Sequence, residues 1–143
     1  MTGSVHVAIG AALGKYIKIK PLAYAVGVLS HLMGDITPHK DVGPMEAPIV
    51  FGTLALVGFK HGWTSSQFLG ALGGITPDFE HIPAELRKDP RRHGPMEEKL
   101  FPTHNGQLEH AHWPLHPALG VAMQIVLYFG CLYLAGTFRK SET

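Results

Sequence analysis

Ten histidines stand against eleven acidic residues in a chain of 143, and several fall at spacings that suit metal chemistry. His31 and Asp35 are four residues apart, so a helix stacks them on one face and lets them share one ion. Asp78 and His81 are three apart just after Pro77, with Glu80 between them as an orienting group or a base. His6 follows Ser4 near an expected helix start, where the dipole disfavours positive charge and favours the neutral, ligating imidazole. The only cysteine, Cys131, lies in an apolar run, which leaves neither a thiolate cluster nor a disulfide framework. Any metal must therefore be held by imidazole and carboxylate. The candidate ligands are His6, His31, Asp35, His39, Asp78, His81, His104 and His116, with Glu80 or Glu46 as the spare carboxylate for proton transfer. Such a mixed set suits Zn²⁺, with Mn²⁺ or Fe²⁺ as alternatives, and the number of candidates leaves room for a second ion.

Plainer readings stand beside these. A lone His31 in an apolar helix is a satisfied core histidine in many proteins, but burying Asp35 beside it without a charged partner would be costly. His39, Asp41 and Glu80 also fit turn or cap roles. His61 reads as structural, His93, His110 and His112 as solvated loop residues, and Trp113 with Pro114 as loop packing.

The elements that must position these residues are helical. Ser4 can cap a helix from about Val5 to Ile19, and Pro21 suits the first turn of a second from about Leu22 to Gly34, ended by Pro38. Glu46 and Pro48 open a third, Ala47 to Phe59, and Thr64 with Gln67 forms a capping box for a fourth, Ser65 to Gly73. Thr76 to Pro117 is rich in Pro, His and charge, with only short helical stretches such as Ala84 to Lys88. Pro117 then starts an uncharged segment through Gly136, about the ~20 residues of a bilayer span. Met33-Gly34-Asp35-Ile36-Thr37-Pro38-His39 aligns with Leu72-Gly73-Gly74-Ile75-Thr76-Pro77-Asp78, so the two hairpins read as copies of one unit. The expected fold is all-α, a compact bundle of two repeated helical hairpins plus a long C-terminal helix. It is one domain over 1–143: hairpin one at 1–41, hairpin two at 45–80, a His/Pro-rich loop at 81–116 and the last helix at 117–137.

Antiparallel hairpins bring His6 near His31 and Asp35, and Glu46 near Asp78, while the loop returns His104 and His116 to the same end. Lys15, Lys18, Lys20, Lys60, Arg139 and Lys140 map to the far end, and ten of the eleven acids, Asp35 to Glu109, map to the histidine end. With 45% apolar and only 16% charged residues, part of the surface is expected to face lipid or the interface of a homo-oligomer. A formal charge of +1 without a basic stripe speaks against nucleic acid. The N-terminus lacks the pattern of a cleaved signal peptide, so Met1 is expected to begin the mature chain. If the segments insert, the positive-inside rule puts the basic collar in the cytoplasm and the histidine cluster outside.

The segments His6-Val7-Ala8-Ile9-Gly10, Ser30-His31-Leu32-Met33-Gly34-Asp35, Thr76-Pro77-Asp78 with His81, and His116-Pro117-Ala118-Leu119 are short but scattered over most of the chain. In them the sequence resembles the bacterial family of inner-membrane metal-dependent hydrolases, itself similar to zinc-dependent phospholipase C. The resemblance implies metal ligation by His6, Asp78, His31 and Asp35, and more loosely by His104 and His116. Here His-x-x-x-Asp precedes Pro-Asp, whereas the family usually has the reverse order. The implied activity is metal-dependent hydrolysis of a phosphodiester or phospholipid, a small-molecule or lipid substrate, in the bacterial inner membrane. The competing reading is a membrane structural or sensory protein that binds metal without turnover.

Overall fold

The first helix, α1 (Gly3–Tyr16), begins two residues earlier than the Ser4 cap implies. Thr2 is the N-cap residue but makes no side-chain cap; instead the Thr2 N–H donates to Gln124 Oε1 at 2.9 Å and the Gly3 N–H donates to Glu46 Oε1. Two distant side chains thus satisfy amides that a local cap would otherwise serve. Pro21 lies in the first turn of α2 (Lys20–Ile36), where its missing N–H is harmless. Glu46 opens α3 (Glu46–His61), and Gly62, at φ 92°, lets the chain turn toward α4 (Ser66–Ile75). The cap of α4 is Ser65, which accepts from the Phe68 N–H at 3.1 Å, in place of the expected Thr64–Gln67 box. A 3₁₀ helix, Thr76–His81, follows directly. The last helix, α5 (Pro117–Ala135), closes at Gly136, whose φ of 86° needs a residue without a Cβ.

This computed structural model describes residues 1–37, 46–83, 99–105, 107–108 and 116–139, apart from the Pro117 side chain. Within them the chain is all-α, without a strand. The expected helix at 84–88 and the candidate ligand His39 lie outside the described residues.

The packing rests on backbone contact between small residues. A Cβ on Gly10 would run into the Gly70 carbonyl, one on Gly70 into the Gly10 carbonyl, and one on Gly14 into the Ser66 carbonyl. These contacts hold α1 and α4 antiparallel, Gly-x-x-x-Gly against Gly-x-x-x-Gly, as small residues do in membrane helix pairs. On the other side of α4, Gly27 of α2 meets the Gly70 carbonyl and Gly73 meets the Tyr24 carbonyl. Helix α5 runs parallel to α1: Thr2 bonds Gln124 near one end, and Lys15 Nζ donates to the Leu134 carbonyl at 2.7 Å near the other. Both α3 and α5 pack on α1 but scarcely on each other, and Thr53 Oγ1 and Tyr128 OH bridge the gap at 2.7 Å.

The core is made of small side chains such as Ala8, Ala11, Val57 and Ala71, and the largest fully buried groups include His6 and His31. Large apolar residues face outward instead, among them Leu29 and Met33 on α2, Phe51 and Phe59 on α3, and Val126 and Phe129 on α5. Within α5, Ala118–Ala135 is long and apolar enough to cross a membrane, and only 22% of it is buried. It is the single such helix among the described residues.

Candidate metal centre

At the end where α1 starts and α2 stops, His6, His31 and Asp35 come together, all buried. His6 reaches Asp35 from the first turn of α1: its Nε2 lies 3.0 Å from Asp35 Oδ1. The ring fits because residue 34 is glycine; a Cβ there would sit 2.6 Å from His6 Cε1. His31, one turn before Asp35, stacks on His6 with ring centroids 3.9 Å apart and places its Nε2 3.0 Å from Asp35 Oδ2. The Met1 amine donates to Asp35 Oδ1 at 3.1 Å. His6 Nδ1 has no hydrogen-bond partner among the described residues.

The segment 99–105 adds a wall. His104 Nε2 lies 3.3 Å from Asp35 Oδ2, 3.5 Å from His31 Nε2 and 3.7 Å from Asp78 Oδ1, while Asp78 Oδ1 lies 3.6 Å from His31 Nε2. His31, Asp78 and His104 form a second possible ligand group, closer to the surface than the first and sharing His31 with it. Asp78 is the most accessible member, its side chain 29% exposed, and His81, at 20%, stands beside it, so the cluster opens on that side.

The second ring nitrogens decide what the cluster can do. His31 Nδ1 lies 2.7 Å from the Gly74 carbonyl, an acceptor, so Nδ1 carries a proton and donates it. His104 Nδ1 lies 3.2 Å from Glu80 Oε1, likewise an acceptor when ionised. In their neutral forms both rings therefore turn an Nε2 lone pair toward Asp35 and Asp78. Each of these lone pairs then faces a carboxylate oxygen of Asp35 and one of Asp78 at 3.0–3.7 Å, an arrangement that favours cationic charge between them. Two imidazolium ions only 3.5 Å apart would repel strongly in a buried site, whereas a divalent cation would satisfy the facing atoms of either three-residue group. The histidine–carboxylate cluster could thus hold a metal ion. His31 has only one free ring nitrogen, so the two overlapping groups compete for one ion through it.

The titration shifts follow from the same geometry. Burial lowers the His6 pKa to about 3 despite its bond to Asp35, keeping that ring neutral. For His31 burial also opposes charge, but the bond to Asp35 and the carboxylates of Asp78 and Asp35 outweigh it and raise the pKa. Burial would raise Asp35, yet its bonds to His104, His31 and His6 hold it far below the usual carboxylate range. Burial pushes Asp78 up.

Other expected site residues take different places. Glu80 is occupied: its carboxylate accepts from the Leu100 and Phe101 N–H groups and from His104, so it orients a ligand and fixes the 99–105 segment rather than standing spare for proton transfer. Glu46 serves the first turn of α1 through the Gly3 N–H, on a residue whose Cβ would lie 3.0 Å from Asp78 Oδ2. His81 Nδ1 accepts from Lys99 Nζ at 3.0 Å, which leaves its Nε2 4.0 Å from Asp78 Oδ1, at the rim of the cluster. His116 is exposed and caps α5, accepting from the Ala118 N–H at 3.4 Å; no contact among the described residues joins it to the cluster. Lys99 was not singled out in the sequence, yet it is buried and ties the Glu80 carbonyl, at 2.6 Å, to His81. No local spacing marks it, because 18 residues separate it from His81.

No protein-family model matches this chain, and comparisons with curated proteins and with solved structures found no match.

Proposed function

We propose that this protein is a membrane-anchored, metal-dependent hydrolase of phosphodiesters, with zinc held by His31, His104, Asp35 and Asp78 and with His6 supporting Asp35. The observation that carries the reading is the paired Nδ1 engagement of His31 and His104, which aims both Nε2 atoms at the same two carboxylates. A divalent ion in that position supplies a Lewis acid for a phosphoryl oxygen and acidifies water. The protein's own part is to hold the ligands through Gly74 and Glu80, to exclude solvent on the His6 side, and to open the site at Asp78 and His81. Those two groups, rather than Glu80 or Glu46, stand where a proton can be exchanged with solvent. Helix α5 would anchor the chain in the bacterial inner membrane, with the exposed apolar faces of α2 and α3 shielded by lipid. The basic collar would then lie in the cytoplasm and the cluster on the extracytoplasmic side.

The test is hydrolysis of bis(p-nitrophenyl) phosphate and of a phosphatidylglycerol by the zinc-loaded protein. His104→Ala is expected to lower the rate by at least about 10²-fold, the scale of one lost preorganised electrostatic contact. A second reading, metal binding without turnover, gains from the engagement of both Glu46 and Glu80 by backbone amides. Full zinc occupancy with no hydrolysis of either substrate would select it.

A further inference from the structure

A groove of about 240 Å³ lies between α3 and α5, floored by the first turn of α1. Its walls are Ile49 of α3 and Val121, Ile125 and Phe129 of α5; Thr2, Ser4 and Val5 lie in the floor, and the surface exposed inside it is almost wholly apolar. It exists because α3 and α5 both pack on α1 but are held apart, with the Thr53–Tyr128 hydrogen bond across the gap. The groove is smaller than the ~300–1,000 Å³ typical of sites that enclose a whole small molecule, so it suits part of a ligand.

Two features identify the occupant. One wall is α5, the helix able to cross a bilayer, and Ile125 and Phe129 are half exposed there, so the mouth opens on the face that meets lipid. Thr2 also lines the groove, and its chain neighbours touch the metal centre: Met1 bonds Asp35, and Gly3 lies beside Asp78. An extended apolar chain seated between Ile49 and Ile125 therefore lies in a groove whose lining includes a residue one position from those that touch the cluster. We infer that the groove binds one acyl chain of a membrane lipid and directs that lipid's phosphate end toward Asp78. The placement of the phosphate rests on the hydrolase reading above; the seating of the chain does not.

The full-length protein in phosphatidylcholine vesicles doped with a phosphatidylcholine carrying a diazirine on one acyl chain tests this. After irradiation, peptide mass spectrometry is expected to find adducts on Val5, Val121 or Tyr128. Ile125→Trp and, separately, Ile49→Trp, each filling the mouth from one wall, should lower those adducts about tenfold, equivalent to about 1.4 kcal/mol of binding. Adducts on the outward residues Phe51 and Val126 should not change. Labelling of Phe51 and Val126 alone overturns the inference, whether the groove is empty or filled by a second copy of the chain. So do groove adducts that both tryptophan variants leave undiminished. Groove labelling with no hydrolysis of bis(p-nitrophenyl) phosphate would instead defeat the hydrolase reading and leave the lipid seat standing.

Discussion

His31 and His104 gain their meaning from what lies behind them. Each has one ring nitrogen committed, to Gly74 and to Glu80, so the other is fixed in direction and is the one left bare when the ring is neutral. Glu80→Gln removes the charge behind His104 and leaves one oxygen for Phe101 and His104 while setting an amide NH₂ against the Leu100 N–H. It is expected to leave the helical content intact while weakening zinc binding about 10–100-fold, measured by competition with a chromophoric chelator. Protons and metal compete for the same Nε2 atoms. Because the carboxylates raise the metal-free His31 pKa, the imidazolium is more populated at a given pH than in water, and zinc must displace its proton. Apparent affinity should therefore fall as pH drops through the histidine range. Calorimetry in buffers of different ionisation enthalpy should show about one proton or more released per ion; zero release would contradict the arrangement. The His31–Asp35 pair was legible in the sequence because helical spacing alone fixes it. The role of Glu80 was not, because it depends on where residues 99–105 return, and nothing in the local pattern carries that information.

Among the elements, α4 is short, only ten residues, yet it is the centre of the bundle because its glycines admit both α1 and α2 to backbone contact. Gly70→Val would push a branched side chain into the Gly10 carbonyl, where backbone cannot yield cheaply. The expected cost is at least about 3 kcal/mol, seen as a lower thermal midpoint in detergent or as failure to assemble. The same substitution at Gly52, which has open space around it, should be tolerated far better and serves as the control. Pro21, Pro38 and Pro117 made the helix boundaries readable to within a few residues. The Gly10/Gly14 and Gly70/Gly74 pairs were also present as a small-residue signal for close helix contact, but spacing alone does not say which helix each pair meets. The cap of α1 could not be read locally, since Glu46 and Gln124 supply it from other helices.

Across the whole molecule, polarity runs along the helix axes and apolar surface runs around them. One end gathers His6, His31, Asp35, Asp78 and His104, the other carries Lys15 and Lys60, and the sides expose Leu29, Met33, Phe51, Phe59 and Val126. That polarity was legible from charge placement and hairpin logic; the inverted core, small inside and large outside, was not, because composition gives no direction to a side chain. Membrane orientation is testable with single cysteines in a Cys131→Ser background. Leu100→Cys should react with an impermeant maleimide from outside intact cells, and Lys18→Cys only after permeabilisation. Equal reaction of both from one side would reject the proposed sidedness.

The most direct measurement is the zinc content of the purified protein beside His31→Ala and Asp35→Ala, after dialysis against a weak chelator. The wild type should retain about one ion per chain, as a four-ligand His/Asp site predicts, and each variant should retain almost none. Equal metal in all three, or none in any, would mean that these side chains meet for structural reasons alone.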